Sequence, residues 1–335
     1  MTRLRTLTRD ADWRDATDVT PIELRNDPPL ELAGTAAVVT PATGTHTVKT
    51  KPKPQLATLL VGCPEQPGVV AAISQVLEAH DVKILHADQH TDRVARMFFQ
   101  RIRFDLSTLA TDRVALEASV REVCERHGMD YRLYGDRKRR VAILVSKQEH
   151  CLYDLLVRHR AGELPCDVAM IVSNHPDAAP IAEHFEIPFH HLPVTKDTKA
   201  KQEAQVISLL YDAGIDLIVL ARYMQILSAE LVERFPTRII NIHHSFLPAF
   251  VGANPYRQAY LKGVKLIGAT SHYVTADLDQ GPIIEQATER CSHKDSVDDL
   301  VRKGRDLEKR VLAAALRCHL EDRIMVYSGK TVVFD

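Results

Sequence analysis

From Leu56 onward the apolar positions fall into short runs and helical stripes separated by polar breaks. Leu56 to Gly62 is an apolar run of strand length, closed by Cys63-Pro64-Glu65-Gln66-Pro67-Gly68. Val69, Val70, Ile73, Val76 and Leu77 then recur at helical spacing and predict an amphipathic helix. Pro67 suits the first turn of that helix, where no N–H is needed. Lys83 to His90 and Arg96 to Asp105 read as strands, the second with Phe98, Ile102 and Phe104 on one side. A helix over 112–127 and a short strand over 130–133 complete the order β-α-β-β-α-β. Residues 56–135 are thus expected to form a ferredoxin-like α+β sandwich.

The texture then changes to continuous apolar strands separated by helices. Val141 to Val145, Val168 to Val172, Leu217 to Leu220 and Arg238 to Ile242 predict buried strands. Helices are expected over 151–159, 179–185 and 199–213, with a short segment at 187–189. A long helix follows over 296–320, and Met325 to Val333 reads as a terminal hairpin around Ser328-Gly329. This pattern predicts an α/β domain over 136–335, with a doubly wound, mainly parallel sheet covered on both faces. Ligands of such sheets sit beyond the carboxyl ends of the strands, which singles out the residues after 145, 172, 220 and 242. Asp136-Arg137-Lys138-Arg139-Arg140, between the two domains, reads as a solvated linker. Residues 1–55, with Pro28-Pro29, Lys51-Pro52-Lys53-Pro54 and the chain's one tryptophan, Trp13, read as a flexible extension.

Composition narrows the function classes. A length of 335 residues suits two domains, and 45% apolar residues are enough for a sizeable core. Forty-three basic against 44 acidic residues leave a formal charge of −1, so no global field favours a nucleic acid. No apolar run is long enough to span a membrane. The early arginines are followed by Asp10, Asp12 and Asp15 rather than an apolar segment, unlike a secretory or transit signal. The cysteines at 63, 124, 151, 166, 291 and 318 form no C-x-x-C pair and read as reduced thiols of a cytoplasmic protein. His190, His191, His243, His244 and His272 lack the spacing of a metal motif, so no metal is expected.

The densest polar cluster is Asn241-Ile242-His243-His244-Ser245-Phe246-Leu247-Pro248. Strand alternation aims Asn241 and His243 to one side, where an amide and an imidazole together stabilise a developing oxyanion. His244, on the other side, reads as a core histidine. A second cluster, Ser271 to Ile284, breaks from a strand into an acidic loop and turns at Gly281-Pro282. Asp277 or Asp279 is placed to orient a histidine or a water, and spacing alone does not choose between them.

Three stretches carry family resemblances. Glu65-Gln66-Pro67-Gly68-Val69-Val70-Ala71 resembles the loop of an ACT domain, with Glu in place of the more frequent Asp. That resemblance implies an amino-acid ligand beside Glu65, Gln66, Pro67 and Gly68, and a homo-oligomer. The 241–248 stretch resembles the N-x-H-x-S-x-L-P signature of folate-dependent formyltransferases, and 277–284 their D-x-D-x-G-x-I segment. The implied catalytic trio is Asn241, His243 and Asp279. Ala221-Arg222-Tyr223-Met224-Gln225-Ile226-Leu227-Ser228 resembles the loop that holds the pterin. It implies folate contacts at Met224, Gln225, Ile226 and Leu227, and at Val274, Thr275, Ala276, Asp277 and Leu278.

Glycinamide ribonucleotide formyltransferases carry G-x-G-S-N after the first strand, where backbone N–H groups receive a phosphate. Here that place reads Ser146-Lys147-Gln148-Glu149-His150-Cys151-Leu152, with no glycine and an added carboxylate. The basic RNA-binding domain of methionyl-tRNA formyltransferases has no counterpart. An ACT-like part ahead of such a domain resembles the formyltetrahydrofolate deformylases. This implies hydrolysis of 10-formyltetrahydrofolate to formate and tetrahydrofolate, with water as acceptor and no cofactor beyond the folate substrate. Glycine or methionine is the expected effector. Two alternatives remain: a formyltransferase to an amine such as glycinamide ribonucleotide, which would depend on an acceptor, and a silent amino-acid sensor, which has no need of the trio.

Overall fold

A computed structural model describes residues 55–248 and 255–335; the extension and Trp13 lie outside the described residues. The first domain runs β1 (Leu56–Pro64), α1 (Val69–Ala79), β2 (Lys83–Asp92), β3 (Met97–Asp105), α2 (Arg113–Arg126) and β4 (Asp130–Gly135). Its antiparallel sheet has the order β2-β3-β1-β4. Both helices pack on one face, over a core that includes Leu59, Val61, Ile73, Leu77, Ile102, Phe104, Leu116 and Val120. Helix α1 starts later than the sequence suggests. Gly68 is its N-cap, at a left-handed φ of 87°, so Pro67 stands outside the first turn. The left-handed turn sets the entry angle of the helix, which glycine adopts without a Cβ clash.

The second domain continues with β5 (Arg139–Val145), α3 (His150–Arg160), β6 (Cys166–Ser173), α4 (Ala179–His184), β7 (Phe189–His191) and α5 (Lys199–Asp212). It is completed by β8 (Leu217–Ala221), α6 (Ala229–Arg234), β9 (Ile239–His243), α7 (Pro255–Lys262), β10 (Leu266–Tyr273), β11 (Ile283–Arg290) and α8 (Val297–Leu320). The seven strands lie in the order β11-β10-β9-β8-β5-β6-β7, parallel from β7 to β9 and antiparallel at β10 and β11. Separate apolar cores fill its two faces, one containing Val141, Ile143, Leu307 and Leu312, the other Ala142, Leu144, Val206 and Leu231. All six cysteines are free and buried.

The basic run at 136–140 is a solvated linker only over 136–138, which are exposed; Arg139 and Arg140 are half-buried and belong to β5. Arg139 opens β5 and its Nη1 donates to the carbonyls of His319, at 3.2 Å, and Leu320, at 3.0 Å. Its other amino group pairs with Asp322. Arg101, from β3 of the first domain, donates to the carbonyls of Asp322 and Glu321, each at 2.9 Å. Carbonyls at a helix C-terminus lack intrahelical donors and carry the negative end of the dipole, so cations are drawn there. One arginine from each domain thus holds the end of α8. A terminal hairpin, β12 (Ile324–Tyr327) and β13 (Lys330–Val333), then covers the open face of the first sheet. Val332 and Phe334 pack on Leu60 and Phe99, and the Tyr327 ring lies 4.5 Å from that of Phe99.

Gly304 sits on the buried stripe of α8, where a Cβ would come within 2.1 Å of the Tyr256 ring. Alanine there gains about 1 kcal/mol of helix propensity but overpacks a rigid ring, at a cost of about 1–3 kcal/mol. It also displaces the Tyr256 hydroxyl from Glu308, a charged hydrogen bond of about 1.5–3 kcal/mol. The clash wins. Gly304→Ala is expected to lower stability by about 2 kcal/mol, read as a lower urea midpoint at unchanged slope; a midpoint equal to or above wild type would contradict this packing.

Candidate active site

Strand β9 delivers Asn241 and His243 to the same side, as alternation requires. β10 runs antiparallel beside it and sets His272 opposite Asn241. The chain then leaves β10, turns and returns as β11, with the Tyr273 N–H donating to the Pro282 carbonyl at 2.9 Å. Any Cβ at Gly281 would stand 1.7 Å from the Tyr273 carbonyl oxygen, so only glycine lets the loop close this tightly. The closure carries Asp279, at a left-handed φ of 57°, back towards β9.

Asp279 Oδ2 lies 3.3 Å from Nδ1 of His243, and its Oδ1 lies 3.7 Å from Nε2 of His272. His272 Nδ1 lies 2.9 Å from the Tyr273 carbonyl, and its Nε2, which faces Asp279, also lies 3.3 Å from Asn241 Nδ2. The Ser271 hydroxyl donates to the Asn241 carbonyl at 3.0 Å and fixes its backbone. The imidazoles of His243 and then His272 hold the Asp279 carboxyl well below the usual carboxylate range, against the opposing pull of burial. His243 is 7% exposed, and its Nε2 is buried without a partner among the described residues. The arrangement is a carboxylate on one ring nitrogen, an unengaged opposite nitrogen, and an amide alongside. It suits stabilisation of an oxyanion and delivery of a proton. Asp277, by contrast, is exposed, and its carbonyl accepts from the Thr275 hydroxyl at 3.1 Å.

The two loops flank this group. Met224 has a left-handed φ of 54°, and the side chains of Met224, Ile226 and Leu278 are exposed. Gln225 is half-buried, while Thr275 and Ala276 are exposed. Leu227 and Val274 pack against the apolar core instead, so their side chains are structural. In the first domain Glu65, Gln66, Pro67 and Gly68 are all exposed, and the Gln66 amide donates to the His127 carbonyl at 2.7 Å.

A further cluster was not foreseen in the sequence. Glu308, 1% exposed on α8, accepts from His150 Nε2 at 2.7 Å and from the Tyr256 hydroxyl at 2.6 Å, with Arg222 Nε 3.5 Å away. Burial pulls its carboxyl upward, but His150, Arg222 and Tyr256 together outweigh it and the net shift is downward. The available signal was an acidic residue on the same helical stripe as Leu300, Leu307 and Val311. The sequence likewise marks His272 only as a candidate metal ligand. Ligand-type atoms of His150, Cys151 and Glu308 approach within 4.8 Å of one another. Burial, reinforced by Glu308, pushes the Cys151 thiol well up, and Arg222 already supplies the positive charge, so these groups suit an internal network rather than a cation. His244 is pushed down to about 4 by burial, then by Arg222 and His243, and is neutral near pH 7.

The lowered Asp279 carboxyl sets a pH signature. A depressed acid contributes stability that is present above its unfolded value of about 4 and is lost as pH falls through its folded value. The stability gap between wild type and Asp279→Asn is therefore expected to be full at pH 7 and to shrink progressively below about pH 4. Denaturant titrations at both ends check this; a gap that stays constant into acid would mean that Asp279 is not held by the histidines.

Comparison with known proteins bears on the same elements. Residues 139–316 match the formyl transferase family and residues 57–120 the ACT domain family. A formyltetrahydrofolate deformylase of Synechocystis sp. is 53% identical over 279 residues, covering 83% of this chain and 98% of the relative. One of Bacillus subtilis is 48% identical, covering 83% and 93%. The crystal structure of a formyltetrahydrofolate deformylase from Pseudomonas syringae pv. tomato superposes with a TM-score of 0.82 at 46% identity, covering 85% of this chain and 96% of that one. Among the described residues no helix is long and apolar enough to cross a membrane. With both domains matched and nearly the whole length of these relatives spanned, the chain belongs to the formyltetrahydrofolate deformylase family.

Proposed function

We propose that this protein hydrolyses 10-formyltetrahydrofolate to formate and tetrahydrofolate, with Asn241, His243 and Asp279 as its catalytic residues. The observation that carries the residue assignment is the buried, unengaged Nε2 of His243, beside the Asn241 amide and opposite the carboxylate of Asp279. With Nδ1–H given to Asp279, a proton on Nε2 makes the ring an imidazolium. Water attacks the formyl carbon, and the Asn241 amide and Nε2–H of His243 stabilise the oxyanion that forms. Asp279 accepts from Nδ1–H, fixing the ring's orientation, and orients the attacking water or accepts its proton. The tetrahedral intermediate then breaks its C–N bond as N10 is protonated, releasing formate. The pterin lies against the backbone of Met224, Gln225, Ile226 and Leu227, and of the loop Val274, Thr275, Ala276, Asp277 and Leu278. The exposed Met224, Ile226 and Leu278 side chains support this placement, because they are apolar groups left without cover.

No cofactor is required, since folate is the substrate. The loop after β5 has no glycine cradle for a phosphate, which disfavours glycinamide ribonucleotide as acceptor. Asn241→Ala or His243→Ala is expected to cost about 10²–10³ in kcat, the usual loss for one oxyanion donor. Formate release measured without any amine checks this, and near-normal turnover in either variant would move the chemistry elsewhere.

Residues 56–135 form the regulatory half of this reading and 136–335 the catalytic half, in a cytoplasmic homo-oligomer. Glycine or methionine binds beside Glu65, Gln66, Pro67 and Gly68, whose exposure leaves room for a ligand. Hydrolysis of a formyl donor is wasteful without control, and the arginine contacts between β3 and α8 offer a mechanical link. Either amino acid is expected to change the rate of formate release at saturating folate. A titration with both that moves neither the rate nor the protein's melting temperature would remove this role.

A further inference from the structure

We propose that Arg222 is a specificity-determining residue: clamped between Gln148 and Glu308, it closes the β5 side of the active site to nucleophiles larger than water. The inference rests on the deformylase reading and concerns which acceptor reaches the formyl carbon.

The sheet order places β8 and then β5 beside β9, so the residues just beyond β8 and β5 form the wall next to His243. Arg222 is the residue beyond β8. It has a left-handed φ of 64°, and its carbonyl accepts from the Ser146 N–H at 3.2 Å, which ties the two strand ends together. Its side chain is buried and donates from Nε to Gln148 Oε1 at 2.9 Å, with Glu308 Oε2 at 3.5 Å. Glu308 is held in turn by His150 and Tyr256. The Tyr256 ring lies 6.2 Å from that of His244, which stacks 5.2 Å from that of His243. The wall therefore stands one imidazole away from the reacting ring.

An amine acceptor must bring its nitrogen to within about 3–3.5 Å of the formyl carbon, with its substituent trailing out of the site. Folate takes the sides formed by the 224–227 and 274–278 loops, and the substituent is left with the β5 side. There it meets a buried guanidinium whose displacement strands Glu308 as an uncompensated charge. Water has no substituent to accommodate. Arg222 also keeps one buried donor, Nη1, without a partner among the described residues.

The test is a partition experiment on the full chain. 10-Formyltetrahydrofolate is supplied with a fixed excess of glycinamide, and formate and N-formylglycinamide are counted together. Wild type is expected to give formate alone. Gln148→Ala removes one jaw of the clamp at a half-buried position and leaves the Arg222–Glu308 pair intact, so it is expected to fold. Arg222→Met removes the barrier itself. Each is expected to raise the ratio of transferred to hydrolysed formyl groups by about tenfold or more, the scale of a single altered pocket contact. Folate KM of Gln148→Ala is expected to stay near the wild-type value. If Gln148→Ala folds, binds folate and still gives formate alone, Arg222 does not gate the acceptor. If wild type releases no formate at all, the deformylase reading itself fails, which is a separate result.

Discussion

A carboxylate buried on the apolar stripe of a long helix is the constraint around which the catalytic domain is arranged. Glu308 is 1% exposed, and an ion so placed survives only with good partners on both oxygens. Those partners come from separate parts of the chain: His150 at the start of α3, Tyr256 at the start of α7, and Arg222 just past β8. Satisfying one carboxylate therefore fixes the carboxyl ends of β5 and β8 and the seating of α7 against α8. Gly304, one helical turn earlier, makes room for the Tyr256 ring that completes the set.

The same helix joins the two domains. Its N-terminus is closed by a capping box between Ser296 and Asp299, so the first turn is satisfied locally. Its C-terminus is closed partly by its own chain, with the Asp322 N–H donating to the His319 carbonyl at 3.2 Å and the Arg323 N–H to that of Cys318 at 2.9 Å, and partly by Arg139 of β5 and Arg101 of β3. Both ends of a 24-residue helix, about 36 Å long, are thereby referenced to different structures. The terminal hairpin adds a second link. Its Val332 and Phe334 cover the first sheet, while the Thr331 hydroxyl donates to the carbonyl of Ile283, just beyond the loop that carries Asp279.

Local pattern revealed what local physics decides. The first domain's strands and helices follow from periodicity, and Asn241 and His243 share a side because a strand alternates. Short α6 and α7, of 6 and 8 residues, have no counterpart in the periodic pattern, although α4, also of 6 residues, does. Arg139 was misread because a basic run reads as solvated, whereas this one meets helix carbonyls from a segment 180 residues away. The choice between Asp277 and Asp279 depended on Gly281 folding against Tyr273, a contact that spacing does not encode. Glu308 and His272 share that reason: their partners lie far off in the chain, and sequence proximity is silent about them.

Three residues of the site, Arg222, Met224 and Asp279, are non-glycine residues in the left-handed region. Each such position costs about 1–2 kcal/mol relative to a relaxed backbone, so none is held by its own segment. Arg222 is kept in place by the Glu308 cluster, and Asp279 by the histidines and the close turn at Gly281. Met224 follows Tyr223, whose carbonyl accepts from the Ser146 hydroxyl and whose own hydroxyl accepts from Gln202 Nε2 at 3.0 Å. Arg222 therefore depends on α8 having docked, whereas Asp279 depends on the β10–β11 turn and the histidines it faces. Because α8 takes two of its terminal donors from Arg101, a shift of β3 acts on that helix before it acts on any catalytic group. An ACT domain joined in this way has no need to touch Asn241, His243 or Asp279 in order to alter their surroundings.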